Sequence, residues 1–328
     1  MTASYTKHDR SCSIKSFDLN TRSHGEKGIP ELNPADSFLI ASRVDGHEHY
    51  VLIDAGKKGQ AAAIIVPYLL ERGIRRIDRM LLSHPHYDHF GGMIDLLRHP
   101  DITIGQLVYA PISDYCLENG DAGELNRSLW NEFEGLIEER GLDTLELGQG
   151  NVGDVIAVDG ALSFDVIATP DESLAREEER VNLNNMNLVV RLSFGRFTAL
   201  FPGDCGVLQT GLIVHSEQYG KCKDVFLLKA AHHGGDESTT DEFIAWCNPR
   251  IVIVTCNHVV VEDRPSFIRN MHEFGRNGAK IFRCDHYREI EIVTDGRIVT
   301  ATGRTDGFVE HVRFDGAETF GEARYGAG

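Results

Sequence analysis

Nowhere does the sequence run for about twenty consecutive apolar residues, the length a helix needs to cross a bilayer. The amino terminus, MTASYTKHDRSCSIKSF, has neither an apolar export-signal core nor a small-residue cleavage signature. A cytoplasmic protein without a membrane segment is expected. Cysteine is sparse: seven in 328 residues, none in a CxxC pair, which excludes a disulfide-built scaffold and leaves reduced thiols, among them Cys205 beside a candidate ligand. No GxGxxG or GxxxxGK segment supports a dinucleotide or phosphate-loop protein, and no fixed-period repeat supports a solenoid. Basic residues are in deficit, 33 against 50 acidic, so the formal charge is -17. Long-range repulsion then disfavours a polyanion and favours a small or medium-sized substrate. Nucleic acid stays open, because bound cations can reverse the local sign of an acidic site.

What is present resembles an ordinary globular chain, 41 % hydrophobic and 25 % charged, and one domain over 1–328 is the simplest organisation. Apolar runs predict strands at 50–53, 79–82, 188–192, 197–201 and from 251, with shorter ones at 280–283, 289–293 and 297–301. Helices are predicted over 60–71, despite Pro67, and over 266–276. Thr239 and Glu242 have the spacing of a capping box for a helix through Trp246. Leu125, Leu129, Phe133 and Leu136 or Ile137 repeat at helical spacing and predict an amphipathic helical insertion near 115–140, packed on the core or serving as a lid or association surface. The charged run 171–180, DESLAREEER, reads as a solvated loop or short helix.

Three apolar runs end in chemistry. The first leads into SHPHYDHFGG, residues 83–92, where His84, His86, Asp88 and His89 place four donors within six positions on a short loop, with Gly91 and Gly92 allowing close packing. The second ends in ALFPGDC and presents Asp204, whose two oxygens suit a bridge between ions. The third, VFLLKAA, leads into His232-His233-Gly234-Gly235. One imidazole of that pair completes the second ion's shell; the reading leans to His232, leaving His233 to orient a ligand or touch substrate. This nitrogen and oxygen set suits two divalent ions, zinc first, with manganese or iron open. A metal-free buried cluster of this kind would carry a severe desolvation cost.

On SHPHYDHFGG, NNMNLVVRLSFGRFTALFPGD and DVFLLKAAHHGG followed by NPRIVIVTCNH, the chain resembles the metallo-beta-lactamase-fold hydrolase superfamily over about 36–295, especially the branch of the soluble hydrolase domain of bacterial DNA-uptake (competence) channel proteins. The resemblance implies an α/β fold, a four-layer αβ/βα sandwich with metals in a groove at the sheet edges and water as nucleophile. It implies that His84, His86 and Asp204 serve one metal, and Asp88, His89, Asp204 and His232 or His233 the other. Asp54, in IDAG, takes the place of a supporting carboxylate or is a local loop residue. Two departures stand out. VIATPDES lacks a histidine that many members carry before the bridging aspartate, so Asp171 or a water fills that position; and Asp263-Arg264-Pro265 replaces Gly-His-Pro. Arg264 and, likewise, His258 are candidates for contacting an anionic substrate or are surface residues.

The expected chemistry is attack by metal-activated water, with Asp88 orienting it or accepting its proton and the ions stabilising the developing oxyanion. A phosphodiester or related phosphoester is the first substrate class. A carboxylic ester, amide or lactone is the chemical alternative, and a noncatalytic metal-binding interaction protein the alternative of another kind. Without a recognisable flavin-binding or electron-transfer segment an oxidoreductase is not the expected class, and bound iron at an open site would reopen it.

Overall fold

Successive residues of a strand point to opposite faces, and some strands here, FTALF and IVIV among them, are buried at every position, so the sheet that holds them must be covered on both sides. The computed structural model describes residues 10–20, 34–175, 181–216, 223–235 and 239–317. Six strands come first: β1 (Arg10–Ser16), β2 (Phe38–Val44), β3 (His47–Ile53), β4 (Arg76–Leu81), β5 (Thr103–Tyr109) and β6 (Thr144–Glu146). Seven follow: β7 (Val155–Ala157), β8 (Leu162–Ala168), β9 (Val189–Phe194), β10 (Phe197–Phe201), β11 (Leu227–Lys229), β12 (Ile251–Val254) and β13 (Lys280–Arg283). Then come β14 (Glu289–Thr294), β15 (Val299–Arg304) and β16 (Val309–Phe314). They form two mixed sheets, ordered β16-β15-β14-β1-β2-β3-β4-β5-β6 and β13-β12-β11-β10-β9-β8-β7.

The helices are α1 (Val66–Glu71), α2 (Tyr87–Arg98), α3 (Asp114–Asn119), α4 (Gly123–Arg140), α5 (Glu172–Ala175), α6 (Val207–His215), α7 (Asp241–Cys247), α8 (His258–Asp263) and α9 (Pro265–Arg276). Period-two alternation divides the strand side chains among three cores. Phe38, Ile40 and Ile53 meet Phe197, Phe201 and Ile253 between the sheets. Leu39 and Leu52 turn the other way, onto Phe90, Met93, Trp130 and Phe133 of α2 and α4. On the second sheet Leu200 and Val252 pack under Phe243, Phe267 and Phe274 of α7 and α9. Helix, sheet, sheet and helix therefore make the expected four-layer sandwich. Each large apolar side chain buried this way contributes about 1.5–3 kcal/mol. Among the described residues, no helix is long and apolar enough to cross a membrane.

Strands β3 to β6 run parallel, as do β10 to β13. Ligands of open α/β sheets collect at the carboxyl ends of such strands. Here those ends deliver Asp54 after β3, Ser83 and His84 after β4, Asp204 after β10, His233 after β11 and Thr255 after β12.

Several local expectations are corrected. The 83–92 segment is not a loop throughout: His86 is the N-cap of α2, and Asp88 and His89 lie in its first turn. Gly91 and Gly92 sit inside that helix, where a Cβ on Gly92 would come 2.0 Å from the Ala55 carbonyl oxygen and one on Gly91 2.4 Å from the Lys58 nitrogen. The 60–71 helix begins as a π-helical turn, Ala61–Ile65, before α1, whose first turn accommodates Pro67 because no partner is needed there. Thr240, not Thr239, caps α7, accepting from the Phe243 nitrogen; Thr239 is buried and donates to the Ala231 carbonyl. The 115–140 region is two helices, α3 and α4, separated at Gly120. Within 171–180, Glu172–Ala175 is helical, and 176–180 lies outside the described residues.

Candidate metal centre

Asp54 is held at φ 54°, a left-handed conformation uncommon outside glycine, immediately after β3. Its Oδ1 accepts from the Ser83 nitrogen at 2.8 Å and its Oδ2 from the Ser83 hydroxyl at 2.7 Å, so it ties the end of β3 to the start of the histidine segment. The same Oδ2 lies 2.8 Å from His89 Nδ1. That contact leaves His89 Nε2 facing Asp204 Oδ2 at 3.3 Å. A carboxylate behind one ring nitrogen sets the tautomer and aims the other, an arrangement typical of metal-binding imidazoles.

His84 Nδ1 sits 3.0 Å from the Ser83 hydroxyl, and its Nε2 faces His86 Nδ1 at 3.0 Å. His86 turns its remaining nitrogen, Nε2, to Asp121 Oδ1 at 3.3 Å. Across the groove, His233 Nδ1 donates to the Thr255 carbonyl at 2.8 Å while its Nε2 reaches Asp204 Oδ2 at 3.0 Å. Both His232 (φ 44°) and His233 (φ 57°) are left-handed, a strained backbone beyond the end of β11. His233 is buried and joins the cluster; His232 is half-buried, its ring centroid 6.0 Å from that of His233. The geometry thus favours His233 over the residue the sequence leaned toward.

Asp204 is placed by its backbone as well as its charge. Its nitrogen donates to Asn187 Oδ1 at 3.0 Å, and the preceding Gly203, at φ 59°, leaves no room for a Cβ, which would meet that same oxygen at 2.2 Å. Oδ1 accepts from Lys229 Nζ at 2.7 Å, and Lys229 also donates to the Gly203 carbonyl at 2.8 Å and pairs with Asp36. Asp36 Oδ1 lies 3.5 Å from His233 Nδ1.

The charges are strongly coupled. Burial, reinforced by His89 and His86, pushes His84 well below the ordinary imidazole range and keeps it neutral. Burial pulls His89 the same way, but Asp204 and Asp54 outweigh it and raise it well above 6.5; against the same burial, Asp204 and Asp36 raise His233 above its ordinary value. Burial would raise Asp204, yet His233 and Lys229 hold it well below the carboxylate range.

Four overlapping donor groups have ligand atoms within 4.8 Å of one another: His84, His89 and Asp204; Asp88, His89 and His233; Asp36, Asp204 and His233; Asp36, Asp54 and His89. Asp204 and His89 each belong to more than one. The donors are imidazole nitrogen and carboxylate oxygen, and they fit divalent ions. Cys205 stays out of the set: burial pushes its thiol up, and Sγ donates to Gln209 Oε1 at 3.3 Å.

Of the remaining candidates, Asp171 accepts from the nitrogen and hydroxyl of Ser173 at 2.9 and 2.6 Å, a local turn, and it belongs to none of these groups. His258 is exposed at the start of α8. Arg264 packs over Gly235, where a Cβ would meet its Cδ at 2.7 Å, and its Nη1 is buried with no hydrogen-bond partner among the described residues. Sequence reasoning missed Asp36, Lys229 and Asp121. A lysine within the apolar run VFLLKAA was the available signal for one of them, since a lysine is almost never fully buried unless paired.

The family model for the metallo-beta-lactamase superfamily matches residues 31–245. The chain belongs to that superfamily. Among curated proteins, ComE operon protein 3 of Bacillus subtilis is 26 % identical over 257 residues, covering 71 % of this chain and 28 % of the relative. Hydroxyacylglutathione hydrolase of Photobacterium profundum is 32 % identical over 102 residues, covering 30 % of this chain and 37 % of the relative. The chain spans about a third of the length of these curated relatives. Among solved structures, the metallo-beta-lactamase fold protein YhfI from Bacillus subtilis aligns at a TM-score of 0.48 with 11 % identity, covering 92 % of this chain and 100 % of that one. The superfamily's metal-binding character agrees with the donor groups found at the sheet edges.

Proposed function

We propose that this protein is a metal-dependent hydrolase with two divalent ions, zinc first and manganese or iron as alternatives, acting in the cytoplasm on a phosphodiester or related phosphoester of small or medium size. The observation that carries the reading is the overlap of donor groups around Asp204: His84 and His89 share one group with it and Asp36 and His233 another, Asp88 joins His89 and His233 in a third, and His86 Nδ1 stands 3.0 Å from His84 Nε2. Divalent ions, when bound there, would act as a Lewis acid toward the electrophile and make water a stronger nucleophile near neutral pH.

The chain's own residues do the rest. Asp54 and Thr255 fix the tautomers of His89 and His233 so that each turns Nε2 inward. Lys229 holds Asp204 by Oδ1 and leaves Oδ2 to face the imidazoles. To Asp88, buried in the first turn of α2, this reading assigns the orienting of the attacking water or the acceptance of its proton. The buried guanidinium nitrogen of Arg264, over the loop that carries His233, supports an anionic substrate, which favours a phosphoester. The match to a hydroxyacylglutathione hydrolase supports the second reading, an acyl hydrolase.

A metal-quantified hydrolysis screen across phosphodiesters, phosphomonoesters, carboxylic esters and lactones separates the two, with Asp204→Ala as control. Phosphodiester turnover that falls on the order of 1000-fold or more in the variant is the expected result, several kcal/mol of lost transition-state stabilisation. Turnover of the acyl substrates alone assigns the second reading. A folded, two-metal protein inert to every class points to a noncatalytic interaction role.

A further inference from the structure

His86 enters the site through Nδ1, which faces His84 Nε2 at 3.0 Å. Its Nε2 therefore points outward, where it meets a residue that belongs to neither sheet. Asp121 stands in the turn between α3 and α4, and its Oδ1 accepts from His86 Nε2 at 3.3 Å. That carboxylate is itself located on three sides: its Oδ1 also accepts from the Leu183 nitrogen at 3.1 Å, the Asp121 nitrogen donates to the Val181 carbonyl at 2.9 Å, and the Val181 nitrogen donates to the Asn119 carbonyl at 3.2 Å. In the first turn of α4, buried Asn126 accepts from the Tyr87 nitrogen at 2.7 Å and donates to the Pro85 carbonyl at 2.8 Å, gripping the backbone on both sides of His86. Trp130 and Phe133, further along α4, lock it to α2 through Phe90 at ring distances of 5.2 and 5.6 Å.

We propose that the α3–α4 pair is a component of the metal centre, in which Asp121 and Asn126 are positioning residues that hold His86 in the tautomer and rotamer presenting Nδ1 to the metal it shares with His84. The inference rests on the two-metal reading above. A carboxylate accepts only from a protonated nitrogen, so Asp121 keeps the proton on Nε2 and the lone pair on Nδ1. Because Asp121 lies on the Nε2 side of the ring, it acts behind the ligand and does not replace the histidine missing from VIATPDES.

Cobalt(II) titration of the full chain, followed by visible absorption and by competition with a chromophoric chelator, tests this. In Asp121→Ala the affinity for one of the two ions is expected to fall about 10–100-fold, with an altered absorption band for that site and the other ion bound as before. Asp121→Asn, which keeps an acceptor for Nε2, is expected to restore most of the affinity and the band. In the metal-free protein, the ring nitrogen-15 shifts of His86 are expected to report the Nε2–H tautomer in the wild type and Asp121→Asn, and a mixture in Asp121→Ala. Since the Asp121 side chain is partly exposed, these variants are expected to fold. Wild-type affinity for both ions in Asp121→Ala overturns the proposal and leaves α3–α4 as packing. A wild-type protein that takes up no cobalt overturns the two-metal reading itself.

Discussion

Lys229 is a full charge at the end of an apolar strand, surrounded by Asp36, Asp204 and the Gly203 carbonyl, all out of contact with solvent. Removing one partner of a buried ion pair costs more than the pair contributes, because the other charge is left in a medium that cannot solvate it. Lys229→Met is therefore expected to lower stability by about 3–5 kcal/mol in urea unfolding of the chelated protein, and Asp36→Asn added to it to recover part of the loss. The adjacent histidines provide a sharper contrast. His233→Ala removes an imidazole aimed at Asp204 and is expected to reduce bound metal from two ions toward one, whereas His232→Ala keeps both, as read by metal analysis after dialysis. Residue identity could not separate the two, since the distinction lies in the tertiary packing: His233 is buried against Asp204, and His232 is only half-buried. Asp36 and Asp121 were hidden for a related reason. Their meaning comes from partners far along the chain, His86 being 35 positions from Asp121, and no short motif surrounds them.

Helix α2 shows how an element can be misread while its chemistry is read well. HxHxDH is visible because its donors are close together, but Gly91-Gly92 weakens helix propensity and invites a loop assignment. Tertiary packing overrides propensity here, because the two glycines let α2 press against the backbone of 55–58. Gly92→Ala would drive a methyl into the Ala55 carbonyl, which has nowhere to go, and α2 carries Asp88 and His89. A loss of about 1–3 kcal/mol in urea unfolding, with weaker metal binding in titration, is the expected outcome. Elements with continuous apolar runs and sharp ends were legible: β10 stops at Pro202-Gly203 and β13 at Arg283, both as expected. Strands β1 and β16 were not, because polar residues interrupt their pattern and pairing decides them. The capping residue of α7 was off by one because two threonines stand side by side and only packing chooses between them.

At the scale of the molecule, the proposed metals join two halves. His84, His86, Asp88 and His89 hang from the first sheet and its helix, and Asp204 and His233 from the second. Metal at 100 times its dissociation constant is expected to stabilise the fold by about 2.7 kcal/mol, so chelation lowers the melting temperature. The pH dependence follows from His89 and His233, whose folded pKa values lie above 6.5 when metal is absent. The native state then holds protons that the unfolded chain has released, so their contribution is full below 6.5 and is lost as pH rises through the folded values. Metal-free protein is expected to lose stability as pH rises above 6.5, while metal affinity increases over the same window as protons cease to compete; urea midpoints with and without chelator check both. Strand order has a further consequence. β1 lies between β2 and β14, and β14 is made from Glu289–Thr294, far later than β1 and β2. On the ribosome, the edge of β1 that β14 will cover must therefore wait, unpaired and open to other chains, until every strand of the second sheet has been made.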